Sequence, residues 1–144
     1  VPLQLAPAMV LLGLWSWDRR RRFLESHPEL VRRRQARRAL RRERRAFRRA
    51  AMIGDAPGFA RRAITALQIA AAPHFPAEPR ALVCGEVLSL FEPREQIGET
   101  GQVIRSFFEC DERATFAAKR ENHKPLFGLQ PELEGILERM EAKL

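Results

Sequence analysis

Apolar residues follow two patterns along this chain, an uninterrupted block at the start and then a succession of stripes at helical spacing. The block, "VPLQLAPAMVLLGLWSW", covers residues 1–17 and holds no charge. Arg19, Arg20, Arg21 and Arg22 follow almost at once. From Pro28 the chain reads "PELVRRRQARRALRRERRAFRRAAMIG", with proline near a helix start, no breaker inside, and Gly54 as a stop. At about 100° per residue, Ala36, Ala39, Leu40, Ala46, Phe47 and Ala50 fall within one arc of roughly 120°. Ten arginines hold the opposite half: Arg33, Arg34, Arg37, Arg38, Arg41, Arg42, Arg44, Arg45, Arg48 and Arg49. Only Arg32 and Glu43 break the division.

The later stripes are shorter and regularly punctuated. Asp55 can cap a helix with Pro57 in its first turn, and Phe59, Ala60, Ala63, Ile64, Leu67 and Ala70 or Ala71 line one face of it. "PHFPAEP" ends that helix, and Pro79 opens "RALVCGEVLSLF", with Leu82, Val87, Leu88 and Phe91 as core candidates. Thr100 is a plausible cap for a helix carrying Val103, Ile104, Phe107, Phe108 and Phe116. Pro131 opens the last, whose Leu133, Ile136, Leu137, Met140 and Leu144 form one stripe. No segment alternates with the period of a strand. The pattern predicts an all-α fold, a small helical bundle of about five helices following the end of a transmembrane helix.

The opening block is slightly short for a full span, since about 20 residues cross the hydrocarbon core. With no initiator methionine before it, it reads as the last part of a transmembrane helix in a longer protein. Trp15 and Trp17 then occupy the interfacial aromatic belt and Arg19–Arg22 the cytoplasmic flank. A cleavable signal peptide fits worse, because its charges precede the apolar part. A buried helix or hydrophobic arm is the competing expectation, given Pro2, Pro7 and Gly13. The organisation expected is a membrane-helix end at 1–17, a juxtamembrane arginine-rich helix at 18–53, and a bundle at 54–144 packed with it.

Charge sharpens this picture. The net charge of +8 is not evenly spread: fifteen arginines face three acids between Arg19 and Arg49, whereas from Ala50 onward eleven Lys and Arg face fourteen Asp and Glu. The basic character therefore belongs to one segment. In the arginine helix seven i,i+4 pairs are Arg with Arg, costing together roughly 1.5 to 3.5 kcal/mol. An ordinary solvated face mixes signs and avoids that cost, so the face is read as a docking surface. Anionic lipid is the expected partner of Arg19–Arg22, but lipid attraction fades within about 8 Å. An acidic protein suits the distal arginines. Nucleic acid is a further candidate, although the helix lacks residues that read or stack on bases, so such binding would be unspecific.

Motifs for catalysis are missing from the sequence: there is no Gly-rich phosphate loop, no G-x-S-x-G and no H-E-x-x-H. His27, His74 and His123 share no ligand spacing with one another or with Cys84 and Cys110. Cys110 lies beside acids that would raise its pKa, and both cysteines read as free, structural thiols. No cofactor, metal site or enzymatic activity is expected.

The order of features resembles a family. The arginine-rich helix after a membrane segment, "GDAPGFARRAITAL", and the late "CDERATFA" before a final amphipathic helix resemble the C-terminal cytoplasmic region of the BatD, or oxygen-tolerance, family of bacterial membrane proteins. The resemblance rests on Gly54, Asp55, Phe59, Ala63 and Leu67, and on Cys110, Asp111, Arg113 and Phe116. The middle, "AAPHFPAEPRALVCGEVLSLF", departs from the family pattern in its prolines. The resemblance implies an adaptor of the bacterial inner membrane, single-pass and here mostly cytoplasmic. Its implied associates are membrane-anchored von Willebrand factor A proteins and a MoxR-type AAA+ ATPase of an envelope stress-tolerance system. It supplies no catalytic residues.

Overall fold

The chain turns at Gly54, whose φ of 78° is a left-handed conformation that favours glycine. Immediately beyond it Asp55 starts a new helix by accepting a hydrogen bond from the Gly58 amide through Oδ1 (3.0 Å), with proline in the first turn. In the computed structural model of the protein, residues 5–26, 28–76, 78–116 and 124–144 are described. They form α1 (Leu5–Ser26), α2 (Pro28–Ile53), α3 (Ala56–Ala71), α4 (Cys84–Leu88), α5 (Pro93–Ile97), α6 (Glu99–Phe116) and α7 (Gln130–Lys143). Short 3-10 turns lie at Ala72–His74, Pro79–Ala81 and Lys124–Leu129, and no strand occurs among the described residues. The fold is an all-α small helical bundle.

The hub is α3. It runs against α2 and also meets α6 and α7, and it buries Phe59, Ala60, Ala63, Ile64, Ala66, Leu67, Ala70 and Ala71. So many alanines let neighbouring helices come close, while Phe59 fills the space between them. Its ring lies edge-on to Phe47 of α2 and Phe107 of α6, each at 5.8 Å, and tilted against Phe127 at 5.3 Å. From α7, Leu133, Ile136, Leu137 and Met140, with Leu144 just beyond, close the core. Ala66 and Phe127 apart, these are positions at which the apolar stripes predicted burial, as are Leu40, Leu82, Val87, Leu88, Phe91, Val103 and Ile104, whereas Phe108, expected with them, is half-buried. Phe116 and Arg113 lie outside the residues whose side chains are described, and His27 and His123 lie outside the described residues altogether.

Two local expectations change. "RALVCGEVLSLF" is not one helix opened by Pro79: a 3-10 turn stops at Ala81, Leu82 and Val83 are extended, and α4 is five residues long. Side chains hold this break, since Gln68 Nε2 donates to the Leu82 carbonyl (2.9 Å) and Glu86 Oε2 accepts from the Val83 amide (3.0 Å). The helix expected to follow a cap at Thr100 starts instead at Glu99, so Thr100 lies inside it, and it is preceded by α5. Thr100 Oγ1 accepts instead from Arg139 (3.0 Å).

Outside the bundle, α1 is one helix through both the apolar block and Arg19–Arg22, so the boundary expected between residues 17 and 18 falls inside it. Every described side chain from Met9 to Arg22 is exposed, Trp17 by 74%. Among the described residues no helix is long and apolar enough to cross a membrane.

Candidate docking surface on the arginine helix

Two core anchors, Leu40 and Phe47, are fully buried and fix the rotation of α2. They are seven residues apart, about two helical turns, so they lie nearly one above the other. With that edge against α3, Glu43 comes to lie beside α3 too, where it accepts from Arg62 (3.2 Å). The acid that broke the one-sided pattern is thus a bridge to a neighbour.

The arginines then divide into two flanks. On one side Arg41 Nε donates to Glu141 Oε1 (3.1 Å), and Arg44 donates to Glu141 Oε2 (3.2 Å) and Glu138 Oε1 (2.9 Å). Arg48 reaches both oxygens of Glu134, Nε to Oε1 at 2.8 Å and the terminal nitrogen to Oε2. Arg44 and Glu141 keep only 15% and 18% of their side-chain surface, so this pair is partly shielded from water and salt. The arginines step by three and then four residues and the glutamates, read backwards from Glu141, do the same, so α7 runs antiparallel to α2 in matched register. The Arg48 hydrogen bond, the larger cause, and its charge hold the Glu134 carboxyl below its ordinary value, against burial. The same bond raises Arg48 further.

On the other flank Arg38, Arg42, Arg45 and Arg49 are exposed and meet no carboxylate among the described residues. At about 100° per residue they fall within roughly 60° of one another, about a quarter turn from the paired set. Together with Arg41 and Ala46 they line an open groove of about 450 Å³. Arg34 continues this flank one turn toward the N-terminal end of α2, whereas Arg33 and Arg37, also exposed, lie on the side of the paired set. Arg41, Arg44 and Arg48, expected as docking residues, are instead engaged within the chain.

On α1, Arg19 sits over the Trp15 ring (5.1 Å to the centroid), Arg22 Nε pairs with Asp18 (2.8 Å), and Arg19–Arg22 are exposed. Glu134, Glu138 and Glu141 are not among the expected site residues, since the apolar stripe of α7 points only to its core face. Their spacing of four and three residues was the available signal. Among the described residues no group of three His, Cys, Asp or Glu is placed to hold a metal ion. Neither cysteine forms a disulfide, both are half-buried, and burial pushes the Cys84 thiol up.

No family model, curated protein or solved structure matches the chain.

Proposed function

We propose that the protein is a non-enzymatic interaction module, an adaptor held at the cytoplasmic face of a bacterial inner membrane, with α1 as the end of a single-pass anchor. The observation that carries the reading is the division of α2. One flank of its arginines is neutralised by α7, which stabilises the bundle, while Arg38, Arg42, Arg45 and Arg49 are kept in like-charge repulsion with nothing in the described chain to relieve it. A face that costs folding energy and is not used by the fold is best understood as serving a partner. The exposed apolar part of α1, with its interfacial tryptophans and arginine flank, supports placing that face near a membrane. The residues that resemble the BatD family point toward von Willebrand factor A proteins and a MoxR-type AAA+ ATPase as the associates.

The test is copurification from gently solubilised membranes, comparing wild type with a variant carrying Gln at Arg34, Arg38, Arg42, Arg45 and Arg49. Recovery of membrane-anchored von Willebrand factor A proteins or an AAA+ ATPase, lost in the variant, is the expected result. Recovery of ribosomal proteins and RNA would replace the adaptor with nucleic-acid binding. Partners retained in full by the variant would remove the arginine face from the reading.

A further inference from the structure

Resting on that docking reading, we infer that the unpaired flank of α2 receives a helix of a partner protein, one that carries carboxylates at i, i+4, i+7 and i+11. The chain already contains the template. On its paired flank α2 holds an acidic helix by three arginines spaced three and four residues apart, facing three glutamates at the matching spacing. Arg38, Arg42, Arg45 and Arg49 extend the same arrangement by one more step, spaced four, three and four. They cover about 16 Å of the helix axis, close to three turns. An acidic helix laid along the groove would meet every one of them.

The chemistry favours a helix over other anions. A guanidinium pairs with a carboxylate through two parallel hydrogen bonds, as Arg48 does with Glu134, and a regular stripe of such forks recognises a regular stripe of acids. The only apolar side chain lining the groove is Ala46, small enough to let a second helix approach, whereas bases have no aromatic surface there on which to stack. The four, three, four spacing reads the same in both directions, so a parallel and an antiparallel partner fit equally. Because the arginines are exposed, each pair contributes modestly and is screened by salt. The contact is therefore of moderate affinity and depends steeply on ionic strength.

The experiment uses the whole chain in a neutral detergent and two labelled, capped peptides of about 20 residues, long enough to be helical. One carries Glu at i, i+4, i+7 and i+11; the other has the same composition with its glutamates divided between opposite sides of the helix. Fluorescence anisotropy at low salt is expected to show the striped peptide binding at least tenfold more tightly. The preference is expected to vanish when Arg38, Arg42, Arg45 and Arg49 are changed to Gln, and to survive Gln at Arg33, Arg34 and Arg37, with far-UV circular dichroism confirming that both variants are folded. Equal affinity for the two peptides overturns the helix inference and leaves the docking reading standing, since copurification tests that separately. A preference surviving in the Arg38, Arg42, Arg45 and Arg49 variant overturns it as well. Displacement of the striped peptide, charge for charge, by single-stranded RNA or by inorganic polyphosphate assigns the groove to phosphate and likewise overturns it.

Discussion

Arg48 grips Glu134 with two parallel hydrogen bonds, and Gln130, one turn earlier on α7, donates a third to the same carboxylate (3.1 Å). The pairing holds the Glu134 carboxyl below its ordinary 4.5. The folded state thus binds fewer protons there than the unfolded chain. The stabilisation is complete above the unfolded value and is lost as pH falls through the folded one. Denaturant melts between pH 6 and 3 are expected to show a shallower acid loss in Glu134→Gln than in wild type, with the two curves converging at the acid end. Curves that stay parallel throughout would separate Glu134 from acid stability.

Changing Arg38, Arg42, Arg45 and Arg49 to Gln is expected to stabilise the fold. The partners on α7 relieve Arg41, Arg44 and Arg48, but the i,i+4 pairs Arg34–Arg38, Arg38–Arg42 and Arg45–Arg49 remain unrelieved. Each such pair is unfavourable by about 0.2 to 0.5 kcal/mol, so the four substitutions together yield roughly 1 kcal/mol. In a domain of this size that raises Tm by about 4 °C at low salt, and the gain shrinks in 0.5 M NaCl. Arg44→Gln serves as the opposite control, because it strands Glu138 and breaks one arm of the Glu141 contact. A fall in Tm for the quadruple variant would mean that the exposed stripe serves the fold after all.

Two glycines should respond with opposite signs. A methyl group at Gly101 would meet the Gln96 carbonyl oxygen at 1.8 Å, where α5 crosses the start of α6, and that oxygen is backbone and cannot swing away as a side chain could. Gly101→Ala is expected to destabilise by about 2 to 3 kcal/mol. At Gly135, inside α7 and exposed, nothing lies within 4 Å of the added carbon. Gly135→Ala is expected to stabilise by about 0.5 to 1 kcal/mol, since alanine loses less entropy in a helix. Urea melts of the two variants beside wild type check both signs.

The long helices were legible because Phe59, Ala63, Ile64 and Leu67, or Leu133, Ile136, Leu137 and Met140, repeat with the helical period and face a single core. Helices α4 and α5 were not. Five residues are too few to show a stripe, and their ends are set by particular side chains: Glu86 on the Val83 amide, Gln96 on the Phe91 carbonyl (2.9 Å), Arg139 on Glu95 (2.6 Å). The arginine face was legible as a one-sided helix, but its division was not. Arg41 and Arg42 are adjacent and chemically identical, and only the position of α7 in space makes one a structural residue and the other a free one. Arg62 is legible only in the same way, through the placement of Glu43 against α3.

Helix α1 makes its own prediction. Trp15 and Trp17 are exposed, and the positive flank that follows them is partly offset by Asp18 on Arg22. An arginine held near an anionic surface contributes about 1 kcal/mol, and an aspartate subtracts a similar amount. Binding of the whole chain to vesicles containing anionic lipid is therefore expected to weaken by tenfold or more when Arg19 and Arg20 become Gln, and to strengthen severalfold in Asp18→Asn. Both effects should disappear on vesicles of neutral lipid, where only the apolar contribution remains. Trp17→Ala, by contrast, should weaken binding to both kinds of vesicle, because the ring enters the interface whatever the headgroup charge. Cosedimentation at low and at 0.3 M salt separates these contributions. If the chain bound neutral and anionic vesicles alike, and the arginine and aspartate substitutions changed nothing, the flank of α1 would have no role at a lipid surface.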